Sequence, residues 1–433
     1  MNRVAITCAF ALGLAASTFA GDLNPPPGPV APTMKTLDEV RPSTPIESLP
    51  GSATAQHVIN QPGAYHLTGN MDLAGLGVTA IRIESSGVSI NLNGFSISGN
   101  ATETLPAIRT GGLATAIRNG SIRTWGGEGI LAFSTVVIED IHFDFVRGSV
   151  INVARGAKIS DCLFRGCDPM ELDGETLIKD CVFRDMARAI DAPAAKAVMI
   201  VDCVFDGQNT GNPGVVIHLG DDAKLFNVTV SNEGRSGVIA GNRASIIGCS
   251  FTGNNAGSNN GITVGSSCVI KNNIVFDYGG HGLSFDFSCV VSENTILSNG
   301  GDGIFSPFDR NVILNNTIAS NVGNGISVRR WNRIEGNHIS GSLDEGILAT
   351  NDNMIVGNHV VLAPIRVTSG DNTIDSNVVT DPPSFAVILD TGSNRVTRNT
   401  LDGNISSGGT NLIGVIRTSA NFASAGPWDN FRP

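Results

Sequence analysis

The stretch Ile313-Leu314-Asn315-Asn316-Thr317-Ile318 decides the fold, because phrases of the same pattern return along most of the chain. Each phrase has an aliphatic residue, two mixed residues, a small or polar residue, any residue, and an apolar residue. The pattern reads IEDIHF from 138, ISDCLF from 159, IVDCVF from 200, IKNNIV from 270, IEGNHI from 334 and IVGNHV from 355. The leading aliphatic residues are Ile90, Ile117, Ile138, Ile159, Ile178, Ile200, Leu225, Ile246, Ile270, Val291, Ile313, Ile334, Ile355, Ile374 and Val396. After a first interval of 27 residues, they follow one another at 19 to 25 residues, and the average is close to 22.

A repeat of this length, with apolar residues two apart and Gly or Asn between the apolar groups, is typical of short strands joined by turns. In such a solenoid each coil contacts only its neighbours, so a chain of 433 residues can form one elongated core. The sequence therefore predicts an all-β fold, a single right-handed parallel β-helix solenoid of about fifteen coils. At a strand spacing of about 4.8 Å the rod would be roughly 70 Å long.

Two columns of the repeat are expected to face the interior. Three residues after the leading aliphatic, the column is mainly cysteine and then asparagine: Ile141, Cys162, Cys181, Cys203, Val228, Cys249, Asn273, Asn294, Asn316, Asn337, Asn358, Asn377 and Asn399. Two residues further on, it holds Phe143, Phe164, Phe183, Phe205, Val230, Phe251 and then aliphatic residues. Stacked phenylalanines bury apolar area, and stacked asparagines hydrogen-bond to one another and to the turn backbone. Cysteines aligned in register point in parallel, which is poor disulfide geometry, so we expect reduced cysteines that fill the core.

The segments outside the repeat have different compositions. Residues 1–20 have the pattern of a signal peptide, with Arg3 before an apolar run and small residues ahead of Gly21. We expect residues 21–56 to form a Pro-rich arm and N-terminal cap, 57–420 the β-helix, and 421–433 a C-terminal cap in which Trp428 and Phe431 plug the last coil. These segments predict a secreted protein, whether extracellular, periplasmic or at the cell surface.

Composition and charge exclude several kinds of partner. Without residues 1–20 the chain has 27 basic and 39 acidic residues, a net charge of −12, whereas nucleic-acid binding requires basic patches. No apolar run reaches the roughly 18 residues that a membrane-spanning helix needs. The predicted partners therefore include neither nucleic acid nor a membrane interior, and the oligomeric state stays open.

The 22-residue coils with their Asn and Phe columns resemble the pectate-lyase-like superfamily of right-handed β-helices over about residues 57–420. The ends, GDLNPPPGPVAPTMKTLDEV and GPWDNF, are similar to those of secreted bacterial β-helix repeat proteins. That superfamily includes polysaccharide lyases, hydrolases and epimerases as well as adhesins and phage spikes. The resemblance therefore implies a long lateral groove that can bind an extended sugar chain, and it leaves the reaction open.

One candidate catalytic column lies in the turn before the strands that begin with Gly-aliphatic pairs. It contains Asn260, His281, Asp302, Asn324 and Glu345, in consecutive coils. His281 and Asp302 could act as a base and the group that orients it, with Glu345 two coils beyond; the other interpretation is a solvated polar turn. The segment Gly280–Ser284 resembles the GHGLS motif of polygalacturonases, but asparagines stand where the resemblance requires acids, so inverting hydrolysis is not expected.

A second candidate site lies on the outward side of earlier strands, where Asn152, Glu171 and Asp191 are expected to stack. Lyases of the resembling superfamily hold Ca²⁺ with carboxylates on such a face and use Arg or Lys as the base. The candidate metal ligands are Glu171, Asp191, Asp221 and Asp222, and the candidate substrate-binding residues are Arg188, Lys196, Lys224 and Trp331. Scattered surface charge is the other interpretation.

Two functions remain open at this level. The first is an exported protein that binds an extracellular polysaccharide along its lateral groove, with cleavage or epimerisation left open and Ca²⁺ as a candidate cofactor. The second is a non-catalytic structural or adhesive cell-surface protein, favoured by the lack of an intact catalytic motif and of long inserted loops.

Overall fold

The computed structural model describes residues 43–207, 214–232, 234–255, 257–418 and 426–432. Each coil carries up to three short strands, and each strand pairs in parallel with the equivalent strand of the next coil. Three sheets therefore run along the rod. This architecture confirms the predicted right-handed parallel β-helix, with about seventeen turns where about fifteen were predicted.

Sheet 1 contains the leading aliphatic residues. Its strands are Thr44–Pro45, Gly63–His66, Val88–Asn91, Thr115–Arg123, Val136–Asp144, Ala157–Ser160, Leu177–Lys179, Met199–Val201, Lys224–Phe226, Ser245–Ile247, Val269–Lys271, Val290–Ser292, Val312–Leu314, Arg333–Glu335, Met354–Val356, Thr373–Asp375, Arg395–Thr397 and Leu412–Ile413.

Sheet 2 contains the phenylalanine column, and the second halves of Thr115–Arg123 and Val136–Asp144 also belong to it. Its other strands are Met71–Asp72, Ser96–Ser98, Leu163–Arg165, Val182–Arg184, Val204–Gly207, Thr229–Asn232, Ser250–Thr252, Ile274–Phe276, Thr295–Leu297, Thr317–Ala319, His338–Ser340, His359–Val361, Val378–Thr380, Thr400–Leu401, Asn430–Arg432 and Ile416–Thr418.

Sheet 3 follows the Gly-aliphatic turns. Its strands are Ala55–Ile59, Thr79–Ile83, Ile108–Thr110, Ile130–Ala132, Ile151–Val153, Met170–Leu172, Ile190–Ala192, Val215–Leu219, Ser236–Ala240, Ile262–Val264, Leu283–Phe285, Ile304–Ser306, Ile326–Val328, Ile347–Ala349, Ile365–Val367, Phe385–Leu389 and Asn404–Ser407. One short 3-10 helix, Ile46–Ser48, precedes this sheet. No helix within the described residues is long and apolar enough to cross a membrane.

A single left-handed residue makes the corner between sheets 1 and 2. It stands two positions after the leading aliphatic, and its φ is +57° at Asp161, +55° at Asn272 and +55° at Asn315. Asp and Asn tolerate this conformation better than other L-residues, and glycine adopts it freely, as at Gly336. This requirement explains why Asp, Asn or Gly usually fills the third position of the repeated phrase.

The predicted inward columns are buried. All fifteen leading aliphatic residues are fully buried. Phe143, Phe164, Phe183 and Phe205 form a continuous stack with ring centroids 4.9, 4.6 and 4.4 Å apart. The seven cysteines within the described residues are free and buried, as the parallel alignment of their side chains predicts.

The asparagine column forms a ladder that joins consecutive coils. The amide oxygen of Asn316 accepts the backbone N–H of Asn294 at 2.9 Å and its side-chain N–H at 2.9 Å, while Asn316 Nδ2 donates to Asn337 Oδ1 at 2.9 Å. The same contacts repeat at each step to Asn399. A second ladder, absent from the sequence prediction, precedes sheet 1 and contains Asn311, Asn332, Asn353, Asn372, Asn394 and Asn411.

The extra coils lie at the two ends, where the repeated phrase is lost. At the start, Tyr65 stands in register with Ile90, and Thr44–Pro45 pairs with Tyr65–His66. The predicted arm therefore contributes a strand as well as Ile46, whose side chain is buried in the core. The predicted signal peptide and residues 21–42 lie outside the described residues.

The C-terminal segment enters the sheet out of sequence order. Asn430–Arg432 pairs in parallel with Thr400 on one side and with Ile416–Thr418 on the other. Asn430 completes the ladder by accepting the backbone N–H of Asn399 at 3.0 Å. The expectation that Trp428 plugs the last coil is wrong, because Trp428 is 60% exposed and the guanidinium of Arg398 lies over its ring.

Candidate functional site

The outer face of sheet 3 and the turn beside it carry most of the predicted site residues. One residue of each strand points outward, the one before its last residue. Strand pairing places these residues in one line, the outer column: Arg82, Arg109, Leu131, Asn152, Glu171, Asp191, His218, Ile239, Thr263, Ser284 and Phe305. The turn column stands two residues before each strand and includes Glu128, Ser149, Asp168, Arg188, Asn260, His281, Asp302, Asn324 and Glu345. Neighbours within a column are about 4.8 Å apart.

The three predicted catalytic residues do lie in one column, but acceptor atoms of His281 and Asp302 are bonded to the backbone of the next coil. The Nδ1 atom of His281 accepts the backbone N–H of Asp302 at 3.0 Å, and it lies 3.8 Å from the Asp302 carboxylate. Burial lowers the pKa of His281, and the nearby Asp302 charge opposes this shift without reversing it. The ring also stacks on Phe305 with centroids 4.4 Å apart. A neutral His281 is therefore held as a structural acceptor.

The same pattern continues through the column. Asp302 Oδ1 accepts the backbone N–H of Asn324 at 2.7 Å and its side-chain N–H at 3.0 Å. Asn324 Oδ1 accepts the backbone N–H of Glu345 at 3.2 Å, and Glu345 pairs with Arg366 at 3.1 Å. The pairing of His281 as base with Asp302 as orienting carboxylate is therefore not the geometry found, because His281 and Asp302 each accept the backbone N–H of the next coil.

A histidine and a carboxylate in direct contact lie four coils toward the amino terminus, about 19 Å along the rod from His281 and Asp302. Asp191 Oδ1 lies 3.1 Å from His218 Nδ1, and Asp191 Oδ2 accepts a hydrogen bond from Arg188 at 2.5 Å. All three side chains are about one third exposed. Within the described residues, His218 Nε2 has no hydrogen-bond partner, so an Asp191-oriented imidazole presents this nitrogen outward.

Two further side chains lie near this cluster. Glu171 stands in register with Asp191 on the outer column, and its Oε2 accepts a hydrogen bond from Asn152 Nδ2 at 3.2 Å. Arg235 precedes the strand Ser236–Ala240 and is buried; burial and the charge of Arg188 both lower its pKa. The predicted stack of Asn152, Glu171 and Asp191 is therefore present.

The four predicted calcium ligands do not converge. Asp221 and Asp222 belong to the turn that leaves sheet 3, where Asp222 pairs with Arg243 at 2.7 Å and Asp221 accepts the backbone N–H of Asn242 at 2.8 Å. Glu171 and Asp191 lie on the outer column instead. Within the described residues, no group of three or more His, Cys, Asp or Glu side chains is arranged to hold a metal ion. A calcium site built from all four carboxylates is therefore not supported by this geometry.

The predicted substrate-binding residues are likewise divided. Arg188 belongs to the Asp191 cluster, whereas Lys196 lies in the turn toward sheet 1 and Lys224 is exposed on sheet 1. Trp331 is 45% exposed, but the guanidinium groups of Arg330 and Arg310 lie over its ring at 4.4 and 5.3 Å. Its flat face is therefore already used in cation–π contacts rather than open to a sugar ring.

An arginine-lined cleft that the sequence did not indicate lies at the N-terminal end of sheet 3. It has a volume of about 330 Å³ and is bounded by the loop Thr104–Pro106, with Arg82, Arg109 and Glu128 among its lining residues. Arg82 pairs with Glu84 at 3.0 Å, while its Nε is buried without a hydrogen-bond partner. A larger groove of about 760 Å³ lies beside sheet 1, and none of the predicted site residues lines it.

Comparison with known proteins agrees with this architecture. A family model described as a right-handed β-helix region matches residues 213–361. Curated protein sequences give no match. The family match and the strand register together establish the right-handed parallel β-helix.

Solved structures show low sequence identity to this chain. A variant of the periplasmic alginate epimerase AlgG is 12% identical with a TM-score of 0.36, over 87% of this chain and 83% of that chain. The A-module of the mannuronan C-5 epimerase AlgE6 of Azotobacter vinelandii is 11% identical with a TM-score of 0.26, over 86% of this chain and 87% of that chain. A PL6 alginate lyase in complex with a trisaccharide is 12% identical with a TM-score of 0.36, over 86% and 84%.

Proposed function

We propose that this chain is an exported protein that binds an acidic extracellular polysaccharide along the outer face of sheet 3 and modifies it at the Asp191 cluster. The observation that carries the proposal is the contact of Asp191 with both His218 and Arg188 on an accessible face. An oriented imidazole beside a guanidinium is suited to removing a proton next to a carboxylate.

In this proposal Asp191 accepts the Nδ1–H of His218 and holds the ring so that Nε2 faces the substrate. Nε2 takes the proton from the carbon next to a uronate carboxylate, and Arg188 offsets the negative charge that develops on that carboxylate. If the electron pair then expels the glycosidic oxygen, the chain is cleaved by β-elimination. If a proton returns to the opposite face of the same carbon, the sugar is epimerised.

Two arginines of the outer column support an acidic ligand at the N-terminal part of this face. Arg82 and Arg109 occupy adjacent coils in the same line as His218, five to six coils toward the N-terminal end. A chain that lies along the column would meet these guanidinium groups away from the reacting sugar. Planar guanidinium groups suit the recognition of carboxylates.

The test is incubation of the purified protein with polyuronates, with and without Ca²⁺. β-Elimination is read from the ultraviolet absorbance of the unsaturated product, and proton abstraction from deuterium uptake in heavy water. We expect His218→Gln to lower turnover by about a hundredfold or more. His281→Gln is the matched control, because His281 is a structural acceptor, and its turnover should stay close to that of the parent.

Two outcomes would count against this function at different levels. Binding of polyuronate without elimination or deuterium uptake would remove the catalytic step and favour the alternative, a structural or adhesive protein. That alternative is supported by the turn column, whose His281 and Asp302 acceptors are bonded to the backbone of the next coil. Absence of binding would remove the polysaccharide proposal itself. Export is tested separately by sequencing the amino terminus of the secreted protein, which should begin at Gly21.

A further inference from the structure

A pair of histidines on sheet 2 lies outside the proposed active site. His338 and His359 occupy directly paired positions in adjacent strands, and both are exposed. Their Nδ1 atoms are 3.2 Å apart, and the ring centroids are 4.9 Å apart with the planes tilted by 56°. Of the seven histidines, all within the described residues, these two are joined by a contact between imidazoles.

The distance between the two Nδ1 atoms is that expected for two nitrogen ligands of one metal ion. Metal–nitrogen bonds of about 2.0–2.1 Å with the angles of a square or a tetrahedron place two nitrogens about 2.9–3.4 Å apart. Imidazole nitrogen is a preferred ligand of Cu²⁺, Ni²⁺ and Zn²⁺, and among these Cu²⁺ binds nitrogen sites most tightly. Two imidazoles on one surface would leave the remaining coordination positions to water.

The backbone on both sides of each histidine is fixed. Asn337 and Asn358 immediately precede the two histidines, and Asn358 Oδ1 accepts the backbone N–H of Asn337 at 3.0 Å and its side-chain N–H at 2.9 Å. The residues that follow, Ile339 and Val360, are fully buried in the core. Because ladder and core hold both Cα positions, the two rings meet without any rearrangement of the chain.

We propose that His338 and His359 form a two-histidine binding site for a divalent late transition metal, with Cu²⁺ the most tightly bound. Both Nδ1 atoms coordinate the ion in their neutral form. In the metal-free protein one ring donates its Nδ1–H to the other. The site is independent of the polysaccharide function and lies on a different sheet.

The test is titration of the purified protein with Cu²⁺, followed by calorimetry and electron paramagnetic resonance. We expect a site whose spectrum shows coupling to two imidazole nitrogens. His338→Thr and His359→Thr should each weaken this site at least tenfold and remove one of the two couplings. Threonine is chosen because Thr317 already occupies the same column one coil earlier, so the variants keep the fold.

His142→Thr is the matched control. His142 is also exposed on sheet 2, but Ser121 and Leu163 flank it in register, so it has no second imidazole beside it. Its substitution should leave Cu²⁺ affinity and spectrum unchanged. The proposal is overturned if no Cu²⁺ binds, if both histidine variants keep the parent affinity, or if His142→Thr weakens binding as strongly as they do.

Discussion

The two halves of the rod fill the corner between sheets 1 and 2 with different side chains. In coils around Cys162, Cys181 and Cys203, each thiol donates to a carbonyl two residues earlier in its own coil, at 3.1 to 3.2 Å. In the later coils, each asparagine instead bonds the next coil through two hydrogen bonds to one amide oxygen. Cys181 and Cys203 also contact a carbonyl of the preceding coil, at the longer distance of 3.8 Å. In the first half stacked phenylalanines run beside this column, whereas the second half joins its coils at the corner by the shorter amide hydrogen bonds. The same backbone path at this corner therefore accommodates either an apolar or a hydrogen-bonded column of side chains.

The largest effect is expected in the phenylalanine stack. Phe183→Ala removes the ring between Phe164 and Phe205 and leaves a cavity, which should cost about 3–5 kcal/mol of unfolding free energy. Urea denaturation followed by circular dichroism measures this loss. Phe276→Ala, at a position 39% exposed, is the control and should have little effect. Equal losses in the two variants would contradict the role of the stack.

The asparagine ladder should be the next most sensitive feature. Asn316→Cys places the residue of the first half into the second half. It leaves the backbone N–H of Asn294 without its acceptor and removes one hydrogen bond from each of the side chains of Asn294 and Asn337. We expect a loss of about 2–3 kcal/mol, since buried polar groups without partners are costly. The reciprocal Cys181→Asn puts an amide between two thiols and should also destabilise the protein. If neither exchange changed the free energy of unfolding measured in urea, the cysteine and asparagine columns would be interchangeable, and the difference between the two halves would have no structural cause.

The thiols of the first half should be chemically silent in the folded protein. The neighbouring Cys162 thiol and burial raise the pKa of Cys181 to about 12, and burial raises the pKa of Cys249 to about 11. At mildly alkaline pH a disulfide exchange reagent should therefore react with these cysteines only after denaturant is added. Rapid reaction in the native state would show that the thiols are accessible.

The smallest effect is a pH dependence in the second half. Burial acts to raise the pKa of Asp375, but hydrogen bonds from Arg398 and Thr397 outweigh it and hold the pKa below its usual value. A carboxyl group whose pKa is lowered by folding stabilises the folded state at pH values above its pKa in the unfolded chain, which is about 3.9. This stabilisation is lost as the pH falls through the pKa of the folded state. Asp375→Asn should therefore be less stable than the parent near neutral pH, and the two should converge in acid. A constant difference across this range, measured by urea denaturation, would contradict the ion pair.

Most of the fold follows from the sequence because the columns are local and repeat. Fourteen consecutive intervals fix the register of Asn294, Asn316 and Asn337 without any knowledge of distant contacts. The left-handed corner itself was not predicted, although its residues, such as Asp161 and Asn272, precede the column residues in the same phrase. The coils at the two ends could not be predicted, because Tyr65 replaces the leading aliphatic residue and Asn430 joins the ladder from 31 residues beyond Asn399.

The candidate site was harder to predict for a related reason. The spacing from Asp191 to its partner His218 is 27 residues, well above the repeat, so the sequence could not align their strands. His281 and Asp302 are 21 residues apart, which is close to the repeat length, and this spacing made them the predicted pair. The regular spacing of His281 and Asp302 reflects their structural role in the turn, whereas an irregular coil brings His218 and Asp191 together on the outer column.

The insertion of Asn430–Arg432 between two earlier strands sets an order of assembly. Ile416–Thr418 pairs, among the described residues, only with Asn430–Arg432, so it has no sheet neighbour until that later strand is in place. The pairing of this strand can therefore form only after residues 430–432 have been synthesised.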